Sequence, residues 1–379
     1  MLLPVKNAAW WEELEFYALT SPAYVYSAQA LAGRITQIKH ALGTDIVISC
    51  KACPNADLIA RLPPDCLDGL ELASRGELHT FAGFKPRHLY INTPALTTTL
   101  AKAGINARAS FIVDTPAQVD LLHGVRGTRE VKPIMLRLTN RLIETFNPAA
   151  PRLRFDQFGM DLDEAFVAID RAKALGIPVE GVHLYGGPHT FGRTGQFVVE
   201  ALAQIIPLIE SRLGAPLAVV NAGGGLEENW PERGHDFSAY REALRSLPPH
   251  VKVVHEFGRA LFASAGVFVA RVIALKRVGG QRYAICDGGM AQAFLLAQTE
   301  NMMRKYREPR IIGRDSEREQ TGESTTLVGS TCSRDDVIGV VSCDVREGDT
   351  VVFDQCGAYV QTYSMNQFLT LGGATAYVV

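Results

Sequence analysis

The chemistry in this sequence starts from one lysine, one glutamate and one run of glycines. Asn221-Ala222-Gly223-Gly224-Gly225-Leu226 closes the apolar run Leu217, Ala218, Val219, Val220. Backbone that ends in three consecutive glycines leaves N–H groups bare, with no Cβ to hold a ligand away, which suits a phosphate or another anion. The same run also reads as an ordinary tight turn, and alone it does not decide between the two. Gly258-Arg259 follows Glu256 and makes a second glycine turn, this one with a guanidinium. Lys51 follows the apolar run Ile46-Val47-Ile48. A lysine among apolar neighbours and facing a phosphate cradle suits covalent chemistry with a carbonyl group. Cys50 and Cys53 have redox or metal spacing, yet no second cysteine pair or histidine pair accompanies them, so no metal is expected.

These residues need elements that bring them to one level. Strand patterns fall at Asp45–Cys50, Gly69–Leu72, His88–Asn92, Ser110–Asp114, Pro133–Leu138, Glu180–Tyr185, Leu217–Asn221 and Lys252–Glu256, with helical patterns between them. The clearest helix follows Asp161, with Glu164 three residues on, an apolar face of Leu162, Ala165, Phe166, Ile169 and Leu175, and Gly176 as its stop. Another follows Thr194, and a short one is expected around Trp10–Tyr17. Eight strands alternating with helices predict an α/β fold, a (β/α)8 TIM barrel over residues 25–262. A doubly wound sheet would want a GxGxxG turn after its first strand, and Cys50-Lys51-Ala52-Cys53-Pro54 is not one. After Arg259 the pattern changes to strands at Gly266–Ile273, Arg282–Asp287, Asp349–Asp354 and Thr375–Val379, separated by Gly-Gly turns. Residues 263–379 with 1–24 therefore read as a mainly antiparallel β-domain, and the charged stretch Arg304–Glu323 as a solvated loop.

Barrel enzymes place chemistry at the C-terminal ends of their strands. In strand order those ends carry Lys51, Glu71, Asn92, Asp114, Arg137, His183 with Tyr185, the glycine run, and Glu256. Phosphate sites in such barrels use the loops after the seventh and eighth strands, where Gly223–Gly225 and Gly258-Arg259 fall. His183 reads equally well as a packed barrel histidine. The net charge of −2 gives no support for a nucleic-acid or anionic-membrane surface. No apolar run reaches the roughly 18 residues of a membrane span, and the opening residues, with Glu12, Glu13 and Glu15, do not read as a secretory leader. Seven cysteines with no disulfide-dense cluster predict a reducing, cytoplasmic setting.

Several stretches carry a family resemblance, in order along the chain. They are Cys50-Lys51-Ala52-Cys53-Pro54-Asn55, Glu71-Leu72-Ala73-Ser74-Arg75-Gly76-Glu77-Leu78, Gly181-Val182-His183-Leu184-Tyr185 and Gly223-Gly224-Gly225. Further on come Glu256-Phe257-Gly258-Arg259, Asp287-Gly288-Gly289-Met290, Gly329-Ser330-Thr331-Cys332 and Cys356-Gly357-Ala358-Tyr359. Together they resemble the pyridoxal-phosphate decarboxylases of the alanine-racemase-like fold, the ornithine, arginine and diaminopimelate decarboxylase group. The resemblance implies that Lys51 carries pyridoxal phosphate covalently. Gly223, Gly224, Gly225, Gly258, Arg259 and Tyr359 would hold its phosphate, and Tyr185 would lie against its ring. Glu256 would keep the ring nitrogen protonated, which deepens the electron sink for decarboxylation; racemases of this fold place an arginine there. Cys332 would come from the partner subunit's β-domain and return a proton to the α-carbon, making a homodimer the catalytic unit. Glu71 and Arg137 would have supporting roles.

Departures from the pattern narrow the substrate. Tyr185 stands where the family has a stacking histidine, Gly186-Gly187-Pro188 replaces Gly-Ser, and Phe257 replaces a proline. The residue after Cys332 is Ser333, where the ornithine and diaminopimelate enzymes carry an acid that grips the substrate's far amino group. Serine has no charge to pair with a buried ammonium, although Asp335 or Asp336 stands close enough in sequence to supply one. The expected substrate is a modified amino acid, for instance a diamino-acid derivative whose distal nitrogen is acylated or attached to a carrier, as in siderophore and antibiotic pathways. The competing expectations are a diaminopimelate- or ornithine-type decarboxylase of primary metabolism, a racemase of the same fold, and a non-catalytic relative that binds a partner.

Overall fold

The computed structural model describes residues 9–297, 306–313 and 320–379. They form two compact units, Ala32–Ala56 with Leu62–Leu261, and the described residues of 1–31, 57–61 and 262–379. Strand β1 (Ala23–Tyr26) belongs to the second unit. The first is a closed barrel of β2 (Asp45–Ser49), β3 (Gly69–Leu72), β4 (His88–Asn92), β5 (Ser110–Val113), β6 (Ile134–Leu138), β7 (Val179–Leu184), β8 (Val219–Asn221) and β9 (Lys252–Phe257). Every neighbouring pair is parallel, and β9 closes on β2. The barrel is the predicted α/β architecture.

Inward-facing residues fill the barrel in layers, since side chains on a strand return to one face every second residue. One layer is apolar: Val47, Tyr90, Ile112, Met135, Val219 and Val254 form a single buried cluster. At the two remaining strands the register pairs Val47 with Gly69 and Val219 with Gly181. Gly181 is fixed sterically, because a Cβ there would overlap the carbonyl oxygen of Val219.

Outer helices follow their sequence signals. In the helix Leu162–Leu175, Asp161 Oδ1 accepts the Glu164 N–H (2.9 Å), and Gly176 ends the helix at φ 64°. The helix expected after Thr194 begins earlier and spans Phe191–Leu213, its first residue donating its N–H to the Gly225 carbonyl (3.2 Å).

The second unit holds β1, β10 (Gly266–Val278), β11 (Gln281–Cys286), β12 (Arg310–Ile312), β13 (Gln320–Val328), β14 (Val337–Cys343), β15 (Thr350–Phe353) and β16 (Thr375–Val378) in one sheet. Most pairs are antiparallel; β1–β16 and β11–β13 are parallel. Two expectations are corrected here. Around Trp10–Tyr17 the chain forms a turn and then a single 3-10 turn at Phe16–Ala18, not a helix. Trp11 and Phe16 both enter one apolar cluster with Val25, Val267, Val269 and Val352, whereas five helical steps would set them about 140° apart. The supposed loop Arg304–Glu323 contains β12 and the start of β13; its residues 304–305 and 314–319 lie outside the described residues.

Candidate active site

Two residues beyond the apolar layer, every barrel strand presents a polar side chain at its C-terminal end. In strand order these are Ser49, Glu71, Asn92, Asp114, Arg137, His183, Asn221 and Glu256. The period of two puts them inside the barrel, and all eight are largely or fully buried. Burial at this price in solvation requires pairing. Ser49 Oγ donates to Glu71 Oε2, Asn221 Nδ2 donates to Glu256 Oε1 (2.6 Å), His183 Nε2 donates to Glu256 Oε2 (3.3 Å), and Arg137 stands 3.5 Å from Asp114. Sequence reasoning singled out the polar strand ends but missed Ser49 and Asn221. The signal was available in their spacing, two residues beyond Val47 and Val219.

Lys51 sits just above this ring, on the one-turn segment Cys50–Ala52 that follows β2. Its Nζ lies 3.0 and 3.2 Å from the two oxygens of Glu71, which is fully buried, while the lysine side chain is 46% exposed. Glu256 also feels the Lys51 charge. Burial pushes the Glu256 carboxyl up, but His183, Lys51 and the Asn221 hydrogen bond together hold it below the ordinary carboxylate value. It is therefore a buried, ionised carboxylate.

The glycine run follows β8 and is shaped by close packing. Gly223 and Gly225 take positive φ (64° and 93°). A Cβ on Gly224 would overlap the Glu256 carbonyl oxygen, and one on Gly225 would overlap that of Gly187. The turn therefore lies against both the Glu256 strand and the Tyr185-Gly186-Gly187 turn. The amides of Gly224 and Gly225 donate to no protein acceptor among the described residues. Gly258 is equally constrained, its Cβ position standing 2.7 Å from the Ala52 Cβ. Arg259 opens the short helix Arg259–Phe262.

His255, which sequence reasoning passed over, braces the glycine turn from beneath. Its Nδ1 donates to the Gly223 carbonyl (3.0 Å), so its Nε2 accepts from the Tyr240 hydroxyl (2.6 Å). Both roles need the neutral ring, and burial pushes the imidazole down to about 4. The folded value lies below that of an unfolded histidine, so the unfolded chain takes up the proton first. Stability from this group is complete above about pH 6.5 and drains as pH falls toward 4, by about 3 kcal/mol in all. Glu256 adds a loss of the same sign. Urea unfolding of the wild type should therefore show falling stability from pH 7 to pH 4.5. His255→Gln should show a shallower slope; equal slopes would remove His255 as a source.

Around the mouth a cavity of about 710 Å³ is lined by Lys51, Asn92, Arg137, Tyr185, Gly186, Gly187 and residues 154–158. The Arg137 guanidinium lies 4.4 Å over the Phe158 ring. Phe257 packs against His255 and Phe191, with ring centroids 5.6 and 5.7 Å away. The barrel thus brings together Lys51, Glu71, Arg137, Tyr185, Gly223, Gly224, Gly225, Glu256, Gly258 and Arg259.

Cys332, Ser333 and Tyr359 lie in the other unit. Cys332 is exposed, and Tyr359 takes a positive φ of 67°. The loop carrying Cys332 and Ser333 is tied down by Asp336, which is buried and accepts from Met290 N (2.7 Å), Thr331 N (3.0 Å) and Thr331 Oγ1 (2.7 Å). With both oxygens committed, Asp336 does not offer the charge that Ser333 lacks. Asp335 is half exposed, and its N–H bonds to Ser333 Oγ (3.2 Å).

Comparison with known proteins agrees with this architecture. The family described as "Pyridoxal-dependent decarboxylase, C-terminal sheet domain" matches residues 23–357, barrel and sheet together. A diaminopimelate decarboxylase of Deinococcus radiodurans is 29% identical over 72% of this chain and 69% of its own. A 2-[(L-alanin-3-ylcarbamoyl)methyl]-2-hydroxybutanedioate decarboxylase of Staphylococcus aureus is 27% identical over 80% of each chain. The solved lysine/ornithine decarboxylase of Vibrio vulnificus has the same fold, with a TM-score of 0.79 over 96% of each chain at 21% identity. The chain belongs to the pyridoxal-dependent decarboxylase family. It is a carboxy-lyase, an amino-acid decarboxylase that uses pyridoxal phosphate.

The residues present fit that cofactor. It calls for an amine, bare amides for its phosphate and a carboxylate for its ring nitrogen. The barrel end holds Lys51, the two unpaired amides of the glycine run and the ionised Glu256. In the same ring Asn92 Oδ1 and His183 Nδ1 are buried without a hydrogen-bond partner among the described residues, which leaves them open to a polar occupant.

Proposed function

We propose that this chain decarboxylates a diamino acid whose distal nitrogen is acylated or attached to a carrier, in a specialised pathway of the siderophore or antibiotic kind. The observation that carries the reading is Ser333, where an acid would otherwise hold a free distal ammonium, together with the commitment of Asp336 to the loop backbone. The kinship to a decarboxylase acting on an amide-linked alanine derivative supports it. The seven cysteines are all free thiols, in keeping with a reducing, cytoplasmic setting.

In this reading Lys51 would carry the cofactor covalently, and Glu71 would hold the Lys51 amine whenever the cofactor is released from it. Gly223, Gly224 and Gly225, with Gly258, Arg259 and Tyr359, bind the phosphate, and Tyr185 lies against the ring. Bound there, pyridoxal phosphate supplies the sink for the electron pair left when the α-carboxylate departs as CO2. Glu256, fixed by Asn221 and His183, keeps a proton on the ring nitrogen. Arg137, itself fixed by Asp114 and Phe158, orients the substrate. Cys332 of the partner subunit returns a proton to the α-carbon in a homodimer with shared sites.

The test is release of labelled CO2 from carboxyl-labelled substrates by the holoenzyme. Distal N-acylated diamino acids should show kcat/KM at least about tenfold above free diaminopimelate, ornithine and lysine, since an ammonium without a counter-charge is poorly bound. Equal or better release from the free diamino acids would overturn the proposed substrate. Racemisation with all label retained would overturn decarboxylation itself.

A further inference from the structure

We propose that Arg154 binds a carboxylate at the far end of the substrate, so that the distal acyl group is itself acidic. The inference rests on the modified diamino acid argued above and adds its charge.

Residues 147–160 form a long connection at the barrel mouth, and its backbone is fixed from several sides. Leu153 N donates to Glu144 Oε1 (2.7 Å), Asn140 Nδ2 donates to the Arg154 carbonyl (3.0 Å), and Gly159 N donates to Asp114 Oδ1 (2.8 Å). Met160 then exchanges backbone hydrogen bonds with the end of β6, its N–H donating to the Arg137 carbonyl and its carbonyl accepting from Thr139, both at 2.9 Å. Two rings on this connection are capped by guanidinium groups, Phe155 by Arg141 at 4.3 Å and Phe158 by Arg137. Such a loop is held in shape before any ligand arrives.

Its cations are not equally engaged. Four charged side chains line the cavity: Lys51, Arg137, Arg154 and Asp156. Lys51 is paired with Glu71 and Arg137 with Asp114. Asp156 Oδ1 accepts the Phe158 N–H (3.1 Å) in a local turn. Arg154 is exposed and makes no side-chain hydrogen bond or ion pair among the described residues; Arg141 and Arg152, on the same side of the sequence, also make no ion pair. The nearby carboxylates are occupied, Glu144 by Leu153 N and Asp114 by Gly159 N and Arg137. A planar guanidinium fork at a cavity wall, beside two aromatic rings, matches a carboxylate on a short apolar spacer. Arg154 itself offers a distal ammonium no counter-charge and gains nothing from a neutral acyl group.

The test uses one diamino acid acylated on its distal nitrogen in two ways, with a succinyl group and with the corresponding neutral terminal amide. For the holoenzyme kcat/KM should favour the carboxylate by about tenfold or more, the scale of one charge-assisted hydrogen bond. Arg154→Gln should bring the ratio close to one, Arg154→Lys should keep part of it, and Arg154→Glu should reverse it. An unchanged unfolding midpoint confirms that each variant is folded. Calorimetric binding of the two compounds gives the same comparison without turnover. A charge preference in binding with no CO2 release would sink the decarboxylation reading and leave this one standing. An unchanged ratio in Arg154→Gln, a neutral amide as good as the carboxylate, or activity confined to carrier-bound substrate would overturn it.

Discussion

Replacing Lys51 by alanine is expected to lower kcat by at least about a thousandfold, the scale of losing a covalent group that also handles protons. The geometry allows no substitute. Among the described residues Lys51 is the one lysine lining the cavity, and its amine is held by the two oxygens of a fully buried Glu71. The variant should also lose cofactor during gel filtration, and borohydride should fix cofactor to the wild type at Lys51 only. The same variant tests the shared site. Cys332→Ala protein should bind cofactor yet turn over slowly, and mixing it with Lys51→Ala protein should restore activity, because each hybrid dimer has one site with both residues. Full activity of Lys51→Ala would remove it from the chemistry. No recovery after proven subunit exchange would leave Cys332 outside the partner's site.

The second large effect is expected at Glu256. Glutamine keeps the shape of the side chain and can still accept from Asn221 Nδ2, but it removes the ionised carboxylate that Asn221 and His183 hold in the polar ring. The Glu256→Gln variant should lose about a hundredfold or more in kcat, the scale found when a preorganised electrostatic partner is deleted. KM should change much less, because the lost interaction matters most once charge has developed. The cofactor's absorption band should also shift its pH dependence, which a merely structural role for Glu256 would leave alone. A kcat within threefold of wild type would show that this carboxylate does not serve the ring nitrogen.

The barrel was legible because its strands are short apolar runs that end in polar residues at regular intervals. Val219-Val220-Asn221 and the glycines after it show how one strand announces both its burial and its chemistry. The strand Gln320–Val328 was not legible, and Val337–Cys343 was passed over despite its β-branched run. The first reads Gln-Thr-Gly-Glu-Ser-Thr-Thr-Leu-Val, with polar side chains and a glycine, and it is defined by its partners in the sheet rather than by its own pattern. In the site, Lys51, Glu71, Arg137 and Glu256 stood out as polar residues at strand ends. Asn221 was hidden beside the glycines it precedes, and His255 beside the glutamate it precedes. Residues 147–160 have no periodicity to read, so the placement of Arg154 at the cavity wall comes from long-range hydrogen bonds that sequence spacing does not encode.

The apolar layer beneath the polar ring has a consequence for traffic. Val47, Tyr90, Ile112, Met135, Val219 and Val254 close the barrel's axis, so nothing passes through to the opposite end. Substrate and amine product therefore come and go on the side of the polar ring. The amine must vacate before the next amino acid can settle, which makes product a direct competitor for the same space and ties turnover to how fast that side clears.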